Sequence, residues 1–244
     1  MSKRTAVIDG DMIVYRAGFS SEREIKWSDD IWTLQSSEKE MQVIINDLVD
    51  YIVEQTEAEE YIMAFSSSTN FRYELFPDYK SNRKTKRKPL GLKDLIKWSI
   101  KNHNGIMWDN VEADDVAGIL CSNKPNMVAV SGDKDFATLP CEWFNFLTCE
   151  TSYTTKDEAN YNHLCQSLSG DSVDGFSGAK GIGSVSARKL LDKNGANWST
   201  VVNAYLDKDQ TEEDALLNAR LSYILRNKTE YNKTKGKVKL WMPK

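Results

Sequence analysis

The stretch Thr5-Ala6-Val7-Ile8-Asp9-Gly10-Asp11 gives the first indication of the fold. Its first four residues are apolar or β-branched, and the run stops at two acids and a glycine, as expected for a buried strand that ends in a loop. A second run of this kind, Met127-Val128-Ala129-Val130, stops at Ser131-Gly132-Asp133. Both runs predict buried strands that carry an aspartate at or just after their carboxyl ends.

Helix-like and strand-like patterns alternate between these two runs. Apolar residues at three- and four-residue spacing, the period of an amphipathic helix, predict helices at Glu38 to Gln55, Leu92 to Ile100 and Ala113 to Cys121. Shorter apolar runs predict strands at Tyr61 to Phe65 and Ile106 to Trp108. Strands that alternate with helices predict an α/β fold, with a mostly parallel sheet flanked by helices.

The chain becomes helical after Cys149. The predicted helices are Lys156 to Leu168, Trp198 to Leu206 and Glu212 to Leu225, and a glycine-rich passage runs from Gly170 to Gly183. We therefore expect a core formed by residues 1–150 and a helical part formed by residues 151–244.

The composition restricts the class of protein and of chemistry. A chain of 244 residues with 40% apolar residues can bury a substantial core. It has no run of about 18 apolar residues, so we expect a soluble, cytoplasmic protein without a membrane partner. The four cysteines form no C-x-x-C pair, which favours reduced core thiols. Because only two histidines are present, carboxylates are the expected reagents.

Acidic residues lie in four tight groups at predicted element ends. The groups are Asp9 with Asp11, Glu112 with Asp114 and Asp115, Asp133 with Asp135, and Asp171 with Asp174. One acidic pair is more often a helix cap or a solvated loop, but four groups at strand ends and helix starts can converge on one site. Because converging carboxylates repel each other and Mg²⁺ prefers oxygen ligands, the pattern predicts a divalent-metal site.

Basic residues are concentrated in two stretches, although the net charge is −4. The first stretch contains Lys80, Arg83, Lys84, Lys86, Arg87 and Lys88. The second is the tail, with Arg226, Lys228, Lys233, Lys235, Lys237, Lys239 and Lys244 against the single acid Glu230. Without the eight grouped acids other than Asp11, 28 acids remain against 32 basic residues, so the rest of the protein is positive. A charge run alone is more often a solvated face or a flexible tail.

Two segments have the composition of phosphate-binding elements. Lys80 and Arg83 face the same way if their segment is helical, and lysine and arginine are the side chains best suited to phosphate. Aromatic residues accompany them, as on surfaces that stack unpaired bases, although core packing is the more common role for at least two of Phe71, Tyr73, Phe76 and Tyr79. The turn Gly181-Ile182-Gly183 leads into a helix and leaves no room for a side chain, so a DNA backbone can approach its amides.

Five motifs in this order resemble the flap endonuclease and 5′→3′ exonuclease superfamily, which includes the 5′-nuclease domain of bacterial DNA polymerase I. The motifs are Ile8-Asp9-Gly10-Asp11, Asn70-Phe71-Arg72 with Tyr79-Lys80-Ser81-Asn82-Arg83, Glu112-Ala113-Asp114-Asp115, Ser131-Gly132-Asp133-Lys134-Asp135-Phe136, and Gly170-Asp171-Ser172-Val173-Asp174-Gly175 with the following glycine turn. They span Ile8 to Ala187, and the chain resembles most the replication exonucleases of short-tailed bacteriophages.

The resemblance implies a PIN-like core over residues 1–150. It implies a helical arch or clamp at about residues 69–95 and, in the helical part, a helix-three-turn-helix element for duplex DNA at about residues 170–192. The implied ligands of the first metal ion are Asp9, Glu112, Asp114 and Asp115. Those of the second are Asp133, Asp135, Asp171 and Asp174.

The resemblance also implies roles in DNA binding. Lys80 and Arg83 are the implied catalytic contacts to the scissile phosphate. Further implied DNA contacts are Tyr79, Lys84, Lys86, Arg87, Lys88, Gly181, Gly183 and Ser184. Backbone carbonyls of Gly181 and Gly183 are implied ligands of a monovalent cation such as K⁺.

One departure from the family pattern affects the first metal site. Many relatives have an aspartate just after the second strand, where this chain has Ser66, Ser67 and Ser68. Either Asp11, as an additional metal or outer ligand, or a water molecule takes its place. The residues alone do not decide between these two alternatives.

These features predict hydrolysis of phosphodiester bonds near 5′ ends of DNA by a monomer that uses two Mg²⁺ ions, with Mn²⁺ as a substitute. The resemblance implies phage DNA replication in the host cytoplasm, with RNA primer removal, and a duplex with 5′ ends or flaps, or an RNA–DNA hybrid, as substrate. One alternative is a haloacid dehalogenase-type phosphatase that uses Asp9, which leaves the basic stretch and the glycine turn unexplained. Another is a non-catalytic DNA-binding protein on the same fold.

Overall fold

The computed structural model describes residues 3–243, so Met1, Ser2 and Lys244 lie outside the described residues. The strands are β1 (Thr5–Asp9), β2 (Arg23–Ser28), β3 (Ile31–Gln35), β4 (Glu60–Phe65), β5 (Gly105–Met107), β6 (Met127–Val130), β7 (Glu142–Asn145), β8 (Glu150–Tyr153), β9 (Tyr231–Asn232) and β10 (Lys237–Val238). The α-helices are α1 (Gly10–Ser20), α2 (Glu38–Thr56), α3 (Phe71–Leu75), α4 (Leu92–Asn102), α5 (Ala113–Cys121), α6 (Lys156–Ser169), α7 (Ser184–Asn194), α8 (Trp198–Leu206) and α9 (Glu212–Ser222). Short 3₁₀ turns occur at Ser81–Arg83, Lys134–Thr138 and Lys228–Glu230.

Strand β1 lies inside a six-stranded sheet with the order β5-β4-β1-β6-β7-β8. The first five strands in this order run parallel, and β8 is antiparallel to β7. All residues of β1 are buried, which explains its continuous apolar run. The predicted α/β fold with a mostly parallel sheet is confirmed. The loops that follow β1, β4, β5 and β6 therefore share one edge of the sheet.

Helices cover both faces of this sheet. Helices α1, α2 and α4 pack their apolar sides in one core with Ile8 of β1. Helix α5 packs on the other face with Val7, the neighbouring residue of β1. Side chains of a strand alternate between the two faces, so the two-sided burial of β1 follows from its sequence. Helix α2 begins where Ser37 accepts a hydrogen bond from the Glu40 amide, as an N-cap residue does.

The helical part has its own core and is joined to the sheet by packing. Leu168 of α6, Leu191 of α7, Val201 of α8 and Ala215 of α9 belong to one apolar cluster. Helix α6 also contacts the 3₁₀ turn Lys134–Thr138. After α9 the chain returns to the sheet side of the molecule, where Leu225 packs with α5. The division at residue 150 remains a prediction.

Several elements differ from the sequence predictions. Helix α1 and the hairpins β2–β3, β7–β8 and β9–β10 were not predicted, and α9 ends at Ser222 rather than Leu225. Strands β2 and β3 are almost entirely exposed, so they lack the alternation that marks a half-buried strand. Within residues 69–95, only α3, one 3₁₀ turn and the start of α4 are helical. The segment expected to form a helical arch is therefore largely irregular.

The described residues include no helix that is both long and apolar enough to cross a membrane. Cys121, Cys141 and Cys165 are buried free thiols, and Cys149 is an exposed free thiol. Cys149 thus differs from the expected core position.

Candidate active site

Asp9 and Asp133 lie close together at the carboxyl edge of the sheet. Asp9 ends β1, and Asp133 follows β6, which pairs with β1 in parallel. The Ser131 hydroxyl donates to an Asp9 oxygen at 2.9 Å and accepts from the Asp133 amide at 3.1 Å. Asp114, in the first turn of α5, interacts electrostatically with both aspartates. The structure thus brings three of the expected metal ligands together.

Burial and mutual repulsion raise the pKa of these carboxyl groups. Burial, followed by the charge of Asp11, raises the pKa of Asp9 to about 7. Burial, followed by the charges of Asp9 and Asp133, raises the pKa of Asp114 well above its usual range. The group therefore requires protons or cations to offset its charge, and a divalent cation does this while keeping the oxygens as ligands.

Asp11 reaches the end of β4, beside the serines where the family pattern implied by the resemblance has an aspartate. One Asp11 oxygen accepts from the Ser66 amide at 3.1 Å. The Ser66 hydroxyl accepts from the Ala113 amide at 3.0 Å, which ties this position to the start of α5. Burial raises the pKa of Asp11, although hydrogen bonds from Ser66 oppose the rise, and the charge of Glu112 adds to it. Asp11 therefore supplies a carboxylate beside Ser66 at the end of β4.

Tyr79 and Lys80 bring hydrogen-bond donors and positive charge to the same edge. The Lys80 ammonium forms an ion pair with Glu112 and lies 3.6 Å from an Asp174 oxygen. The Tyr79 hydroxyl lies 3.0 Å from a Glu112 oxygen and 2.9 Å from an Asp174 oxygen, and its single proton can serve only one of them at a time. Burial alone would raise the pKa of Glu112, but the charges of Lys80 and Arg72 lower it to about 2. Glu112 is therefore ionised and compensated by internal cations.

Lys80 and Arg83 contact one carboxylate, that of Asp174. An Arg83 Nη2 donates to Asp174 at 2.6 Å, and the Lys80 amide donates to the Asp174 carbonyl at 2.8 Å. Lys80 has a φ of 55°, in the left-handed region, and Arg83 ends the 3₁₀ turn that follows. The two expected phosphate-binding residues therefore point towards the acidic group from one short turn.

The four aspartates expected at the second metal ion do not all interact with one another. Burial, followed by the charge of Asp133, raises the pKa of Asp135 to about 7, and Asp171 adds to the rise. Asp174 instead interacts with Lys80 and, more weakly, with Glu112. Asp171 accepts hydrogen bonds from the amides of Val173 and Asp174 at 2.7 and 3.3 Å, and its charge acts on Asp135, whereas Asp174 pairs with Lys80 and Arg83.

The Asp115 carboxylate is fully hydrogen-bonded within the protein. Its two oxygens accept from Arg72 at 2.7 and 2.9 Å, and they also accept from the amides of Glu112 and Leu225, both at 3.1 Å. Its side chain is 0% exposed and that of Arg72 is 3% exposed. A bidentate pair with two further amide bonds occupies the carboxylate fully. We therefore leave Asp115 out of the metal ligands expected from the resemblance and assign it to the fold.

Three polar residues at this edge received no role from the sequence. Arg72 and Ser131 lie inside motifs that carried the resemblance, so a signal for them existed. Gln166, on α6, donates to Asp135 at 2.8 Å. No motif marks Gln166, because its contact depends on how α6 packs against the turn at Lys134–Thr138.

The donor set suits a hard divalent cation. In residues 3–243, no three histidine, cysteine, aspartate or glutamate side chains are close enough together to hold one ion. The clustered groups are nevertheless oxygen donors, as Mg²⁺ prefers, and Mg²⁺ usually keeps several waters and needs only one or two carboxylates. The raised pKa values of Asp9 and Asp135 indicate unmet demand for positive charge. The residues therefore fit such an ion.

The other expected DNA contacts lie on exposed surface. Lys84, Lys86 and Lys88 are exposed. Arg87 donates to both oxygens of Glu22 at 2.7 Å, so it is less available for phosphate than the lysines. This pair ties the basic stretch to the base of the β2–β3 hairpin.

The glycine turn before α7 is open to solvent. A Cβ atom at Gly181 or Gly183 would have no protein atom within 4 Å, so the expectation that the turn leaves no room for a side chain is wrong for the free protein. The space adjoins the exposed N-terminus of α7, which begins at Ser184 and extends over 11 residues. Its first amide N–H groups have no partner within the helix, so they can donate hydrogen bonds to an anion.

Comparison with known proteins identifies the family. Residues 4–164 match the family described as 5′-3′ exonuclease, N-terminal resolvase-like domain. The chain is 29% identical to an exodeoxyribonuclease of Enterobacteria phage T3, with 99% of this chain and 94% of the relative covered. It is likewise 29% identical to an exonuclease of Escherichia phage T7, over 99% and 94% of the two chains.

Solved structures show the same fold. The chain resembles T5 5′-exonuclease with bound zinc ions at a TM-score of 0.68 and 19% identity, over 90% of this chain and 89% of the other. It resembles a bacteriophage T5 flap endonuclease in complex with DNA and metal ions at a TM-score of 0.62 and 16% identity, over 89% of each chain. Together with the family match over residues 4–164, these findings show that the chain belongs to the 5′-3′ exonuclease family and is a nuclease.

Proposed function

We propose that the chain hydrolyses phosphodiester bonds near 5′ ends of DNA and requires two Mg²⁺ ions, for which Mn²⁺ can substitute. The observation that carries this proposal is the group of buried carboxyl groups with raised pKa, led by Asp9 and Asp114, beside the cations Lys80 and Arg83. Such a site combines a demand for divalent cations with side chains that bind phosphate.

The ligands divide between the two halves of the site. Around the first ion we propose Asp9, Glu112 and Asp114, with Asp11 in place of the missing strand-end aspartate. Because no three acidic side chains of residues 3–243 lie close enough to hold one ion, one or two carboxylates would bind each ion directly and the others through its waters. Around the second we propose Asp133, Asp135 and Asp171. Asp174 lies between the halves, because it pairs with Lys80 and Arg83 and interacts with Glu112. When bound, the divalent cations supply an activated water and neutralise charge on the phosphate.

Lys80 and Arg83 position and stabilise the phosphate. In the free protein their charges are held by Glu112 and Asp174. Once those carboxylates engage cations, Lys80 and Arg83 can exchange them for phosphate oxygens. The Lys80 side chain is only 15% exposed, so its charge acts in a poorly solvated place, where stabilisation of developing negative charge is strongest.

We propose that residues 170–192 hold the duplex as a helix-three-turn-helix element. Support comes from the open turn at Gly181 and Gly183 and from the exposed start of α7. Amides at a helix N-terminus bind phosphate without reading sequence. Carbonyls of the same turn are the proposed K⁺ ligands. Exposed Lys84, Lys86 and Lys88 extend the DNA surface from Lys80.

The substrate is proposed to be duplex DNA with a 5′ end or flap, or an RNA–DNA hybrid, bound by a monomer during phage replication. Family membership gives no support to the phosphatase alternative. The non-catalytic alternative rested on the missing strand-end aspartate. The Asp11 carboxylate, which accepts from the Ser66 amide at 3.1 Å, supports the catalytic proposal over this alternative.

Duplexes labelled at the 5′ or the 3′ end test the activity directly. With Mg²⁺, the 5′ label should leave as short products while the 3′-labelled strand shortens gradually; with excess EDTA neither should change. Release of the 3′ label first, or full activity in EDTA, contradicts the proposal.

A double substitution separates catalysis from DNA binding. Asp133→Asn with Asp135→Asn should reduce cleavage by orders of magnitude, while metal-free duplex affinity holds or rises because two repelling charges are removed. Asp207→Asn with Asp209→Asn is the matched control, since these exposed aspartates have the same spacing. Cleavage by the first variant at nearly the parental rate would show that the acidic group is not the active site.

A further inference from the structure

The basic tail has a folded structure that the proposed function does not use. Residues 226–239 contain six basic residues and one acid, a net charge of +5. The whole chain carries −4, so all other residues together carry −9. The sequence left open whether this run is a flexible tail or a binding surface.

The tail forms the β9–β10 hairpin and packs against the nuclease core. Tyr231 and Val238 pair across the hairpin and belong to the apolar cluster that contains α5 residues. The Tyr231 ring stacks on Trp108 with centroids 5.4 Å apart and planes 1° apart, and the Lys233 ammonium lies 5.2 Å from the Trp108 ring centroid. The inward side chains therefore hold the hairpin against the core, and the lysines of the hairpin project from a backbone with a fixed position.

The hairpin lysines are exposed and have no carboxylate partner. Lys233, Lys235, Lys237 and Lys239 are exposed, and none forms an ion pair within residues 3–243. The one acid of the segment, Glu230, accepts from the Tyr223 hydroxyl and the Arg226 amide, so it is turned away from the lysines. Four like charges on a short hairpin repel each other unless an external anion lies against them.

The hairpin lies at the same sheet edge as the acidic site. The Tyr231 hydroxyl donates to the Asp109 carbonyl at 2.8 Å, and the Asn110 amide group donates to the Gly236 carbonyl at 3.3 Å. These residues belong to the loop from β5 to Glu112. Asp109 is three residues before Glu112, a span of at most about 11 Å of extended chain. The lysines are thus close to the site without being part of it.

We propose that the β9–β10 hairpin is a second DNA-backbone surface, which contacts phosphates about three to six nucleotides from the cleavage site, given a rise of about 3.4 Å per nucleotide. The fixed spacing of its charges, their lack of carboxylate partners among the described residues and their contrast with the acidic remainder all favour a polyanion. This inference rests on the proposed DNA substrate. It adds a binding surface that is separate from the basic stretch after Tyr79 and from the glycine turn.

The salt dependence of duplex affinity tests this surface. The variant is Lys235→Gln, Lys237→Gln and Lys239→Gln, which removes three exposed charges and leaves the Lys233–Trp108 contact. The control is Lys3→Gln, Lys97→Gln and Lys101→Gln, which removes the same charge before β1 and from the second half of α4, towards the amino edge of the sheet. Removal of one phosphate-binding charge should reduce the slope of log affinity against log salt by about 0.9.

We expect the slope of the hairpin variant to fall by about 1.8 to 2.7, as for the removal of two or three phosphate-binding charges, equally for unrelated duplex sequences. The control should keep the parental slope. If the slope of the hairpin variant falls by less than about 0.9, the value for one phosphate-binding charge, the inference is overturned. The hairpin lysines would then have to bind an acidic ligand other than DNA. If instead the parent and the control neither bind nor cleave DNA, the proposed function itself has failed.

Discussion

Replacing Asp115 with asparagine decides whether its carboxylate serves the fold or a metal ion. In the structure both Asp115 oxygens are used by Arg72 and by two backbone amides. An asparagine side chain keeps the shape but turns one acceptor into a donor, which then faces an Arg72 N–H. The guanidinium is also deprived of the charge that compensates its burial.

The expected cost follows from the burial of this pair. Removing one partner of a buried ion pair costs about 3–5 kcal/mol, because the other charge remains buried without compensation. Arg72 keeps acceptors in the carbonyls of Leu221 and Tyr223 and an ion pair with Glu112 at 3.3 Å, so we expect the lower half of that range. For a chain of this size, about 2–4 °C per kcal/mol gives a fall in Tm of about 6–16 °C.

Asp114→Asn is the matched control, one residue away. Its carboxyl group is half-buried and is repelled by Asp9 and Asp133. A neutral amide removes that repulsion, so the metal-free protein should be as stable as the parent or more stable. Of the two neighbouring substitutions, identical in chemistry, Asp115→Asn should thus lower the stability of the metal-free protein and Asp114→Asn should not.

Thermal unfolding followed by circular dichroism in EDTA measures both effects, and repetition with added Mg²⁺ measures the stabilisation that metal binding provides. We expect Asp115→Asn to lower Tm in EDTA and Asp114→Asn to remove most of the Mg²⁺-dependent rise. The reasoning is refuted if Asp115→Asn unfolds within about 2 °C of the parent in EDTA and no longer shows the Mg²⁺-dependent rise. In that case Asp115 is a metal ligand.

Three further predictions address catalysis, DNA binding and pH. Lys80→Ala should slow single-turnover cleavage far more than it weakens duplex binding, because the ammonium acts on the transition state; equal losses would make Lys80 an ordinary phosphate contact. Gly183→Val should leave the free protein folded, since no protein atom lies near the added carbon, but it should weaken binding to unrelated duplexes by a similar factor; a changed sequence preference would contradict this. Burial, helped by the charge of Arg226, lowers the pKa of His163 to about 3. Between about pH 6.5 and pH 3 this histidine is protonated in the unfolded chain but not in the folded one, so the free energy of unfolding decreases as the pH is lowered. The free energy of unfolding should fall by about 2 kcal/mol between pH 7.5 and pH 5 because of His163. Urea unfolding at both pH values should therefore show a fall that is about 2 kcal/mol smaller in His163→Gln than in the parent. An equal fall in both proteins would refute the assignment.

The sheet and the acidic strand ends could be predicted because they depend on local patterns. An apolar run such as Thr5–Ile8 with acids at its end fixes both a buried strand and the edge at which its aspartate lies. Since Asp9 and Asp133 follow two strands of one parallel sheet, their proximity follows from topology alone. The elements missed by this reasoning, such as the exposed hairpin β2–β3, lack a buried face and therefore lack a pattern.

The partner of each charge could not be predicted in this way. Asp114 and Asp115 are adjacent and identical in type, yet one faces the acidic group and the other faces Arg72, 43 residues earlier. Successive residues of a helix point in directions about 100° apart, and only the packing of α3 beside α5 determines which one meets the guanidinium. A motif of adjacent acids therefore identifies a site without identifying its ligands.

The same distribution of partners explains how the site is prepared for cations. The carboxylates of Glu112 and Asp174 are paired with Lys80 and Arg83, so their negative charge is compensated within the protein. Asp9 and Asp133 accept hydrogen bonds from the Ser131 hydroxyl and from backbone amides. At Asp114 the charge of Lys80 only partly offsets the repulsion from Asp9 and Asp133, so the repulsion among these three aspartates is poorly compensated. Because a cation gains most where internal positive charge is weakest, Asp9, Asp114 and Asp133 have the stronger demand for a divalent ion, while Glu112 and Asp174 hold the lysine and arginine that we propose to engage phosphate. Under the proposed function, one group of carboxylates would thus both bind the metal ions and hold Lys80 and Arg83 in place for phosphate.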